Sequence, residues 1–341
     1  MDLFLKIVGG VVLVAGGLVA LAVVFFFWRI RVALKAIKGA IPTPSAISLT
    51  EDRDPAWTRD ADAARALGEL TALGHVRGPA YLVPEMPGVS LVALHHPATG
   101  THGSYYRHPA AGHWVDLCAN LADGTELTCG NPPMGSEMDT RPGTRKLMLP
   151  KRSVTEVHAT FLEQLAGVAV KPSRPEDFVT DFQSAYAKDM AWRTAKGGTS
   201  AEEFMRVAEN HGRKLTDDEL QEAFKQTKRQ EIERWSEEII EAFGKSTTLS
   251  VAEWKKYDDR FFILRENFHP QAFLDYLCSQ VDLGQENVVR YMAALDGGVS
   301  LTGLLARIAA DTGHTFTKLG EVTEPQPTAI YGILLPPGSE A

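Results

Sequence analysis

Residues 113–129 read HWVDLCANLADGTELTC and predict a β-hairpin, because strand-like alternation lies on both sides of an Asp-Gly turn signal. A three-residue loop at 122–124, with Gly124 left-handed, would pair Leu121 with Thr125. A two-residue loop would instead mix polar and apolar side chains on both faces. Because a shift of one residue turns every side chain to the opposite face, the segregated pattern predicts the three-residue loop.

This register separates the two faces of the hairpin by polarity. The apolar face holds Val115, Leu117, Ala119, Leu121, Leu127 and Cys129. The polar face holds Asp116, Cys118, Asn120, Glu126 and Thr128. Cys118 and Cys129 therefore lie on opposite faces, where they cannot form a disulfide.

Around the hairpin, short strand-like runs alternate with turn signals from Pro79 to Leu149 and predict an antiparallel meander. The predicted strands are 80–83, 89–95, 102–107, 113–121, 125–129 and 146–149. A helix is predicted before them at 60–73, with Gly74 after its end, and two helices follow them, the first opened by the capping box Ser153–Glu156. Strands followed by helices indicate an α+β layer in which helices cover one face of a sheet.

The second half of the chain is predicted to be mainly helical. Capping boxes begin at Ser200, Thr216 and Ser250. The second opens the longest helix, whose charged middle at 225–234 is predicted to be exposed to solvent, and the third precedes an aromatic-rich helix. Three more helices are predicted at 270–280, 285–295 and 301–310. The last two strand-like runs, 315–322 and 328–335, would form a hairpin or extend the sheet.

An apolar run near the N-terminus, Ile7–Trp28, contains 22 residues and no charge. A helix of about 20 apolar residues spans a bilayer, so we predict a transmembrane helix. A cleaved signal peptide is the alternative, but the run is too long and no small-residue cleavage site follows it.

Basic residues on the C-terminal side predict a cytoplasmic location for the rest of the chain, with the N-terminus outside a bacterial-type inner membrane. They are Arg29, Arg31, Lys35 and Lys38.

The predicted fold class is therefore α+β, with a single transmembrane helix, an antiparallel meander covered by helices, and a helical region ending in a β-hairpin. Its segments are the membrane helix and basic flank at 1–38, an extended, solvated linker at 39–59, an α+β domain at 60–195 and a mainly helical domain at 196–341. A length of 341 residues agrees with more than one hydrophobic core.

The predicted partners are the lipid bilayer and other proteins. Gly9, Gly16 and Ala20 fall near one face of the membrane helix, and such small residues would allow a second copy to pack closely. Small residues are also common in membrane helices that remain monomeric. A net charge of −8 argues against a nucleic-acid partner, since phosphate binding needs a concentrated basic surface.

The densest group of candidate site residues is a run of histidines. Imidazole is a common zinc ligand, and His95, His96 and His102 flank one predicted turn, so they are the candidate metal-binding residues. His108 and His113 flank the next turn, at the other end of the sheet. No carboxylate or cysteine of fitting spacing accompanies the first three, so surface and turn histidines are the simpler interpretation, and no metal or cofactor is predicted.

Known catalytic motifs are missing from the sequence. There is no Gly-x-Ser-x-Gly elbow, no Walker phosphate loop, no Gly-x-Gly-x-x-Gly after a strand and no His-Glu-x-x-His. Cys118 has His113 nearby in sequence, but strand alternation puts the two side chains on opposite faces, which favours a part-buried thiol. These observations argue against an enzyme.

Three functions agree with this organisation. The leading hypothesis is an interaction or scaffold module held at the membrane. The alternatives are a membrane-tethered enzyme that uses His95, His96 and His102, and a small-molecule sensor with a pocket between sheet and helices. A closed, histidine-lined cavity would favour the enzyme, an apolar cavity without titratable groups would favour the sensor, and a convex surface with no cavity would favour the scaffold.

Overall fold

The structure, a computed structural model, describes residues 43–133, 138–210, 216–323 and 325–336. The predicted membrane helix at Ile7–Trp28 and its basic flank lie outside this part, as do Gly9, Gly16 and Ala20. Among the described residues, no helix combines the length and apolar character that a bilayer crossing requires.

The described part of the chain is α+β, with two sheets. The strands are β1 (Thr50–Asp52), β2 (Val76–Leu82), β3 (Ser90–His96), β4 (Thr101–His108), β5 (Gly112–Leu121), β6 (Glu126–Gly130), β7 (Thr144–Met148), β8 (Val170–Lys171), β9 (Phe261–Leu264), β10 (Thr315–Val322) and β11 (Thr328–Leu334). The helices are α1 (Ala61–Ala72), α2 (Val154–Leu165), α3 (Phe178–Ala195), α4 (Ala201–Asn210), α5 (Asp217–Ser246), α6 (Val251–Lys255), α7 (Pro270–Gln280), α8 (Gln285–Asp296) and α9 (Leu301–Thr312).

The predicted hairpin register between β5 and β6 is confirmed. Ala119 lies opposite Leu127, and the Leu121 N–H donates to the Thr125 carbonyl at 2.8 Å. Gly124 has a φ of +87°, the left-handed conformation that a three-residue loop requires. Local hydrophobic patterning was therefore sufficient to define this part of the sheet.

The larger sheet is mixed rather than purely antiparallel. Its order is β1-β2-β3-β4-β5-β6-β7, with β8 pairing the end of β5. Strands β1 to β6 are antiparallel neighbours, but β7 is parallel to β6, so the prediction that 146–149 continues the meander was wrong. Residues 131–143 provide the long connection that a parallel pair needs.

Helices cover both faces of this sheet, whereas the sequence predicted cover on one face. The apolar face packs on α1 and α2, with Leu70, Leu117 and Phe161 almost fully buried. On the opposite face, Phe178 of α3 packs against Leu91 of β3. Alternation explains this arrangement, because β3 carries apolar residues on both faces and needs two partners.

Part of the predicted linker at 39–59 is packed against this sheet. Strand β1 pairs with β2, and Ile47 and Trp57 are buried. Ile47 and Trp57 are therefore packed against the sheet and its helices, whereas an extended, solvated linker was predicted here.

A second core lies between α5, α7, α8, α9 and the smaller sheet, whose order is β10-β11-β9. The predicted C-terminal hairpin is confirmed as antiparallel β10 and β11. The capping box predicted at Ser250 is confirmed and opens α6, but this helix ends at Lys255. The prediction that the following aromatic residues are helical was wrong for residues 261–264, which form β9. All four residues of β9 are buried, as in a strand covered on both faces.

The charged middle of α5 is partly packed, because Lys228 is buried whereas Gln226 and Gln230 are exposed, so the predicted solvent exposure at 225–234 was wrong for one side of the helix. Lys228 is only 8 % exposed. Its Nζ donates to the Gly197 carbonyl at 2.6 Å and pairs with Glu231 at 3.0 Å. A buried ammonium group is tolerated here because both contacts replace its water.

Candidate functional site

A cavity of about 540 Å³ lies between the polar face of the larger sheet and the helices α3 and α5. Its volume is within the range of ligand-binding pockets. Polar side chains from the strands, among them Ser104, Asp116, Thr128 and Lys146, form its floor. Its other wall includes Phe178, Phe182 and Met190 of α3 and Arg234 and Trp235 of α5.

The carboxyl group of Asp116 is the most unusual group in this cavity. Strand pairing places Asp116 between Ser104 of β4 and Gly130 of β6. A Cβ atom at Gly130 would lie 2.0 Å from Asp116 Oδ1, so glycine makes the space that the carboxyl occupies. This Oδ1 atom is buried and, within the described part of the chain, has no hydrogen-bond partner.

Burial raises the pKa of Asp116 to about 7, although Lys146 and the Tyr106 hydroxyl act in the opposite direction. The carboxyl group therefore gains or loses its charge close to neutral pH, far above the usual range of an aspartate. In its charged form it lacks a direct ion pair among the described residues, and it is poised to accept a hydrogen bond from a ligand.

Tyr106 is the second polar group at this position. Its hydroxyl lies near both Ser104 and Asp116, and burial raises its pKa well above the ordinary value. The phenol therefore stays protonated and can donate a hydrogen bond. Its ring stacks on Trp114, with 4.8 Å between ring centroids, and this contact helps to hold its position.

Cys118 is a poor nucleophile. Burial and the neighbouring Asp116 raise the pKa of its thiol to about 12, and its Sγ lies 3.6 Å from Thr128 Oγ1. Strand pairing places His102, rather than His113, directly opposite it. Both ring nitrogens of His102 are buried, and neither has a hydrogen-bond partner among the residues described, so His102 does not activate the thiol in this arrangement.

The three predicted metal-binding histidines do not share one site. The rings of His95 and His102 are 5.7 Å apart on the cavity side of the sheet. His96 contacts His75 and His158 instead, at 4.8 Å and 5.6 Å. His95 and His96 are consecutive in a strand, so their side chains point to opposite faces. Across the described ranges, no group of three His, Cys, Asp or Glu side chains is placed to hold a metal ion.

An ion-pair cluster closes the cavity near β6 and β7. Asp189 of α3 pairs with Lys146 at 2.6 Å and with Arg141 at 3.0 Å, and Arg141 also reaches Glu126 at 2.8 Å. Burial opposes ionisation of Asp189, but the two cations hold its pKa below the ordinary value. The cluster ties α3 to the sheet.

The first described residues lie at the α5 side of the cavity. The Tyr186 hydroxyl donates to the Pro44 carbonyl at 2.8 Å, and Arg234 donates to the Thr43 hydroxyl. The Nε of Arg234 and the indole nitrogen of Trp235 are buried, and no described group accepts from either. This side of the cavity therefore offers unsatisfied hydrogen-bond donors, in contrast to Asp116 on the floor.

Comparison with protein-family models, with curated proteins and with solved structures finds no significant match. The geometry of the cavity is accordingly the basis for a functional interpretation.

Sequence reasoning identified the polar face of the hairpin but did not assign it a function. That face carries Asp116, Cys118 and Thr128, all of which line the cavity. The signal in the sequence that indicated this site was the set of five polar residues that share one face of the hairpin. The residues that complete the site from α3 and α5 had no local signal, because they approach the sheet only through the fold.

Proposed function

We propose that this protein binds a small molecule in the cavity between the sheet and helices α3 and α5, as a membrane-anchored sensor. The observation that carries the proposal is the partnerless Asp116 carboxyl oxygen within a cavity of about 540 Å³. A buried polar group without a partner costs free energy unless a bound molecule satisfies it. A ligand with a hydrogen-bond donor would supply that partner.

The chemistry of the lining supports binding over covalent catalysis. The Cys118 thiol is held protonated, and His102 contacts Asp181 only at 3.8 Å. The aromatic rings of Phe178 and Phe182 can hold an apolar part of a ligand while polar floor groups orient it. The cavity is therefore not the purely apolar one, without titratable groups, that the sequence-based hypothesis associated with a sensor, but its mixed lining is typical of small-molecule sites.

Asp116→Asn should weaken ligand binding by about 10- to 100-fold, because hydrogen bonds to charged groups contribute about 1.5–3 kcal/mol. The full chain, purified in mild detergent, is screened against a metabolite library by thermal shift. Affinities for the hits are then measured for both proteins. Asparagine has nearly the same shape and removes a buried charge, so the variant should fold normally.

Asp62→Asn is the matched control, since this exposed carboxylate lies on α1, which covers the opposite face of the sheet. It should bind ligand with wild-type affinity. Absence of any library hit, with no small molecule co-purifying with the wild-type chain, would rule out the proposed function. Equal affinity of wild-type and Asp116→Asn proteins would show that binding occurs elsewhere.

The anchor and its orientation are also proposals, supported by the 22-residue apolar run and its basic flank. We propose that the described domains face the cytoplasm, that the chain works next to other proteins, and that Gly9, Gly16 and Ala20 could bring two copies together. The interaction or scaffold role remains a prediction from the sequence.

Fusions to the C-terminus test this orientation in a bacterial host. A fluorescent protein fused there should fluoresce, and alkaline phosphatase fused there should be inactive, because the phosphatase matures only outside the cytoplasm. Immunoblotting checks that both fusions accumulate equally. Phosphatase activity with loss of fluorescence would reverse the proposed topology.

A further inference from the structure

Among the basic side chains that line the cavity, Arg234 differs from the others. Three of them have carboxylate partners: Lys146 with Asp189 at 2.6 Å, Lys188 with Glu126 at 3.7 Å and Arg193 with Glu203 at 2.8 Å. Arg234 makes no ion pair within the described ranges, and it donates only to the Thr43 hydroxyl there. Its guanidinium group thus faces the cavity region without a counter-ion.

Among the acidic side chains that line the cavity, Asp116 likewise differs from the others. Glu126, Asp139, Asp189 and Glu231 all take part in ion pairs. The side chain of Asp181 is 42 % exposed, so water stabilises its charge. Asp116 is neither paired within the described residues nor solvated at Oδ1.

We propose that the ligand is a small zwitterion, whose ammonium group binds Asp116 and whose carboxylate binds Arg234, as in amino acids and short peptides. This inference rests on the proposed function of the cavity. The two uncompensated charges have opposite signs, so a ligand with one charge of each sign neutralises both. A ligand with a single charge would leave the other group without a counter-ion among the described residues.

The dimensions of the cavity agree with this class of ligand. A sphere of 540 Å³ is about 10 Å across, which accommodates an amino acid or a short ω-amino acid. Phe178 and Phe182 provide apolar surface for the nonpolar part of such a ligand. The protonated Tyr106 hydroxyl lies beside Asp116 and favours the charged form of its carboxyl group, which the ammonium group would bind.

The test uses two sets of matched probes with the full chain in detergent, by isothermal titration calorimetry. One set is phenylalanine, phenethylamine and 3-phenylpropionate, and the other is 6-aminohexanoate, hexylamine and hexanoate. At least one zwitterion should bind 10-fold or more tightly than both of its single-charge counterparts. Its affinity should fall as the pH is lowered through 7, because protonation removes the charge of Asp116.

Two variants test separately the groups proposed to bind the ammonium and carboxylate ends of the ligand. Asp116→Asn should weaken binding of the zwitterion and the amine but leave the acid unchanged. Arg234→Gln should weaken binding of the zwitterion and the acid but leave the amine unchanged. Arg65→Gln, at an exposed arginine on α1, is the matched control and should have no effect.

The outcomes distinguish this inference from the function on which it rests. If single-charge probes bind as tightly as the zwitterions, or if only uncharged library compounds bind, the zwitterion inference is wrong and small-molecule binding stands. If neither the probes nor the metabolite library binds, both are wrong.

Discussion

Replacing Glu203 with alanine should destabilise the protein by about 3–5 kcal/mol, the usual cost of removing one partner from a buried ion pair. The Glu203 side chain is 1 % exposed. Its two carboxylate oxygens accept from Arg193 at 2.8 Å and from Lys196 at 2.9 Å. Alanine would leave both cations in a poorly solvated site with less compensation.

The cluster around Glu203 explains why the effect should be large. Lys196 also pairs with Asp139 at 2.6 Å, and Asp139 pairs with Arg206. Burial opposes ionisation of Glu203, but Arg193 and Lys196 hold its pKa below the ordinary value. The carboxylate is therefore charged at neutral pH and joins α3 to α4 beside the cavity.

Urea unfolding of the full chain in detergent, followed by tryptophan fluorescence, measures this loss as a lower midpoint with an unchanged slope. Glu202→Ala is the matched control, because Glu202 is the exposed neighbour in the same helix, and it should change the free energy of unfolding by less than about 0.5 kcal/mol. A loss below about 1 kcal/mol for Glu203→Ala would mean that the two cations find other partners.

The same residue shows how far local sequence patterns can be trusted. Ser200 and Glu203 have the spacing of a capping box, and the Glu203 N–H does donate to Ser200 Oγ at 3.1 Å. In a capping box the Glu203 carboxylate would also accept from the Ser200 N–H. Here ion pairs with Arg193 and Lys196 replace that hydrogen bond. A spacing rule identifies the start of the helix correctly, but competition from residues in another helix determines the side-chain contacts.

Secondary structure was predicted well wherever its cause is local. The hairpin register, helix α1 with Gly74 left-handed after its end, and the C-terminal β10–β11 hairpin all follow from periodicity and turn chemistry. The parallel pairing of β7 and the strand β9 depend on partners distant in sequence, so local patterns gave the wrong assignment there.

The functional site depended even more on distant contacts. The polar side chains of the hairpin were visible in the sequence, but the cavity exists only because α3 and α5 stand over them. The histidine run was misleading for a related reason. Adjacent His95 and His96 separate across the sheet, while His75 and His158, from other parts of the chain, join His96.

Acidification should destabilise the protein through His75, which is 2 % exposed. Its two ring nitrogens are buried and, among the described residues, unpartnered. The rings of His96 and His158 lie 4.8 Å and 5.2 Å away. Burial, followed by repulsion from His96, His158 and His95, lowers the pKa of His75 to about 3.

The direction of the pH effect follows from linkage. In the unfolded chain His75 takes up a proton near its ordinary pKa of about 6.5, whereas in the folded protein it stays neutral down to about pH 3. Between these values the unfolded state binds more protons, so the free energy of unfolding falls as the pH falls. One such group contributes about 1.4 kcal/mol per pH unit, or roughly 5 kcal/mol across the window.

His75→Phe isolates this contribution, because phenylalanine keeps a buried ring and cannot take up a proton. Unfolding free energies of the full chain at pH 7, 6, 5 and 4 should fall less steeply in the variant, by about 1.4 kcal/mol per pH unit below pH 6. Other acid-sensitive groups, including His158 with its lowered pKa, remain in both proteins and cancel in the comparison. Asp62→Asn, at the exposed position on α1, should retain the wild-type slope. Parallel pH dependence of the wild type and His75→Phe would show that His75 accepts a proton without unfolding.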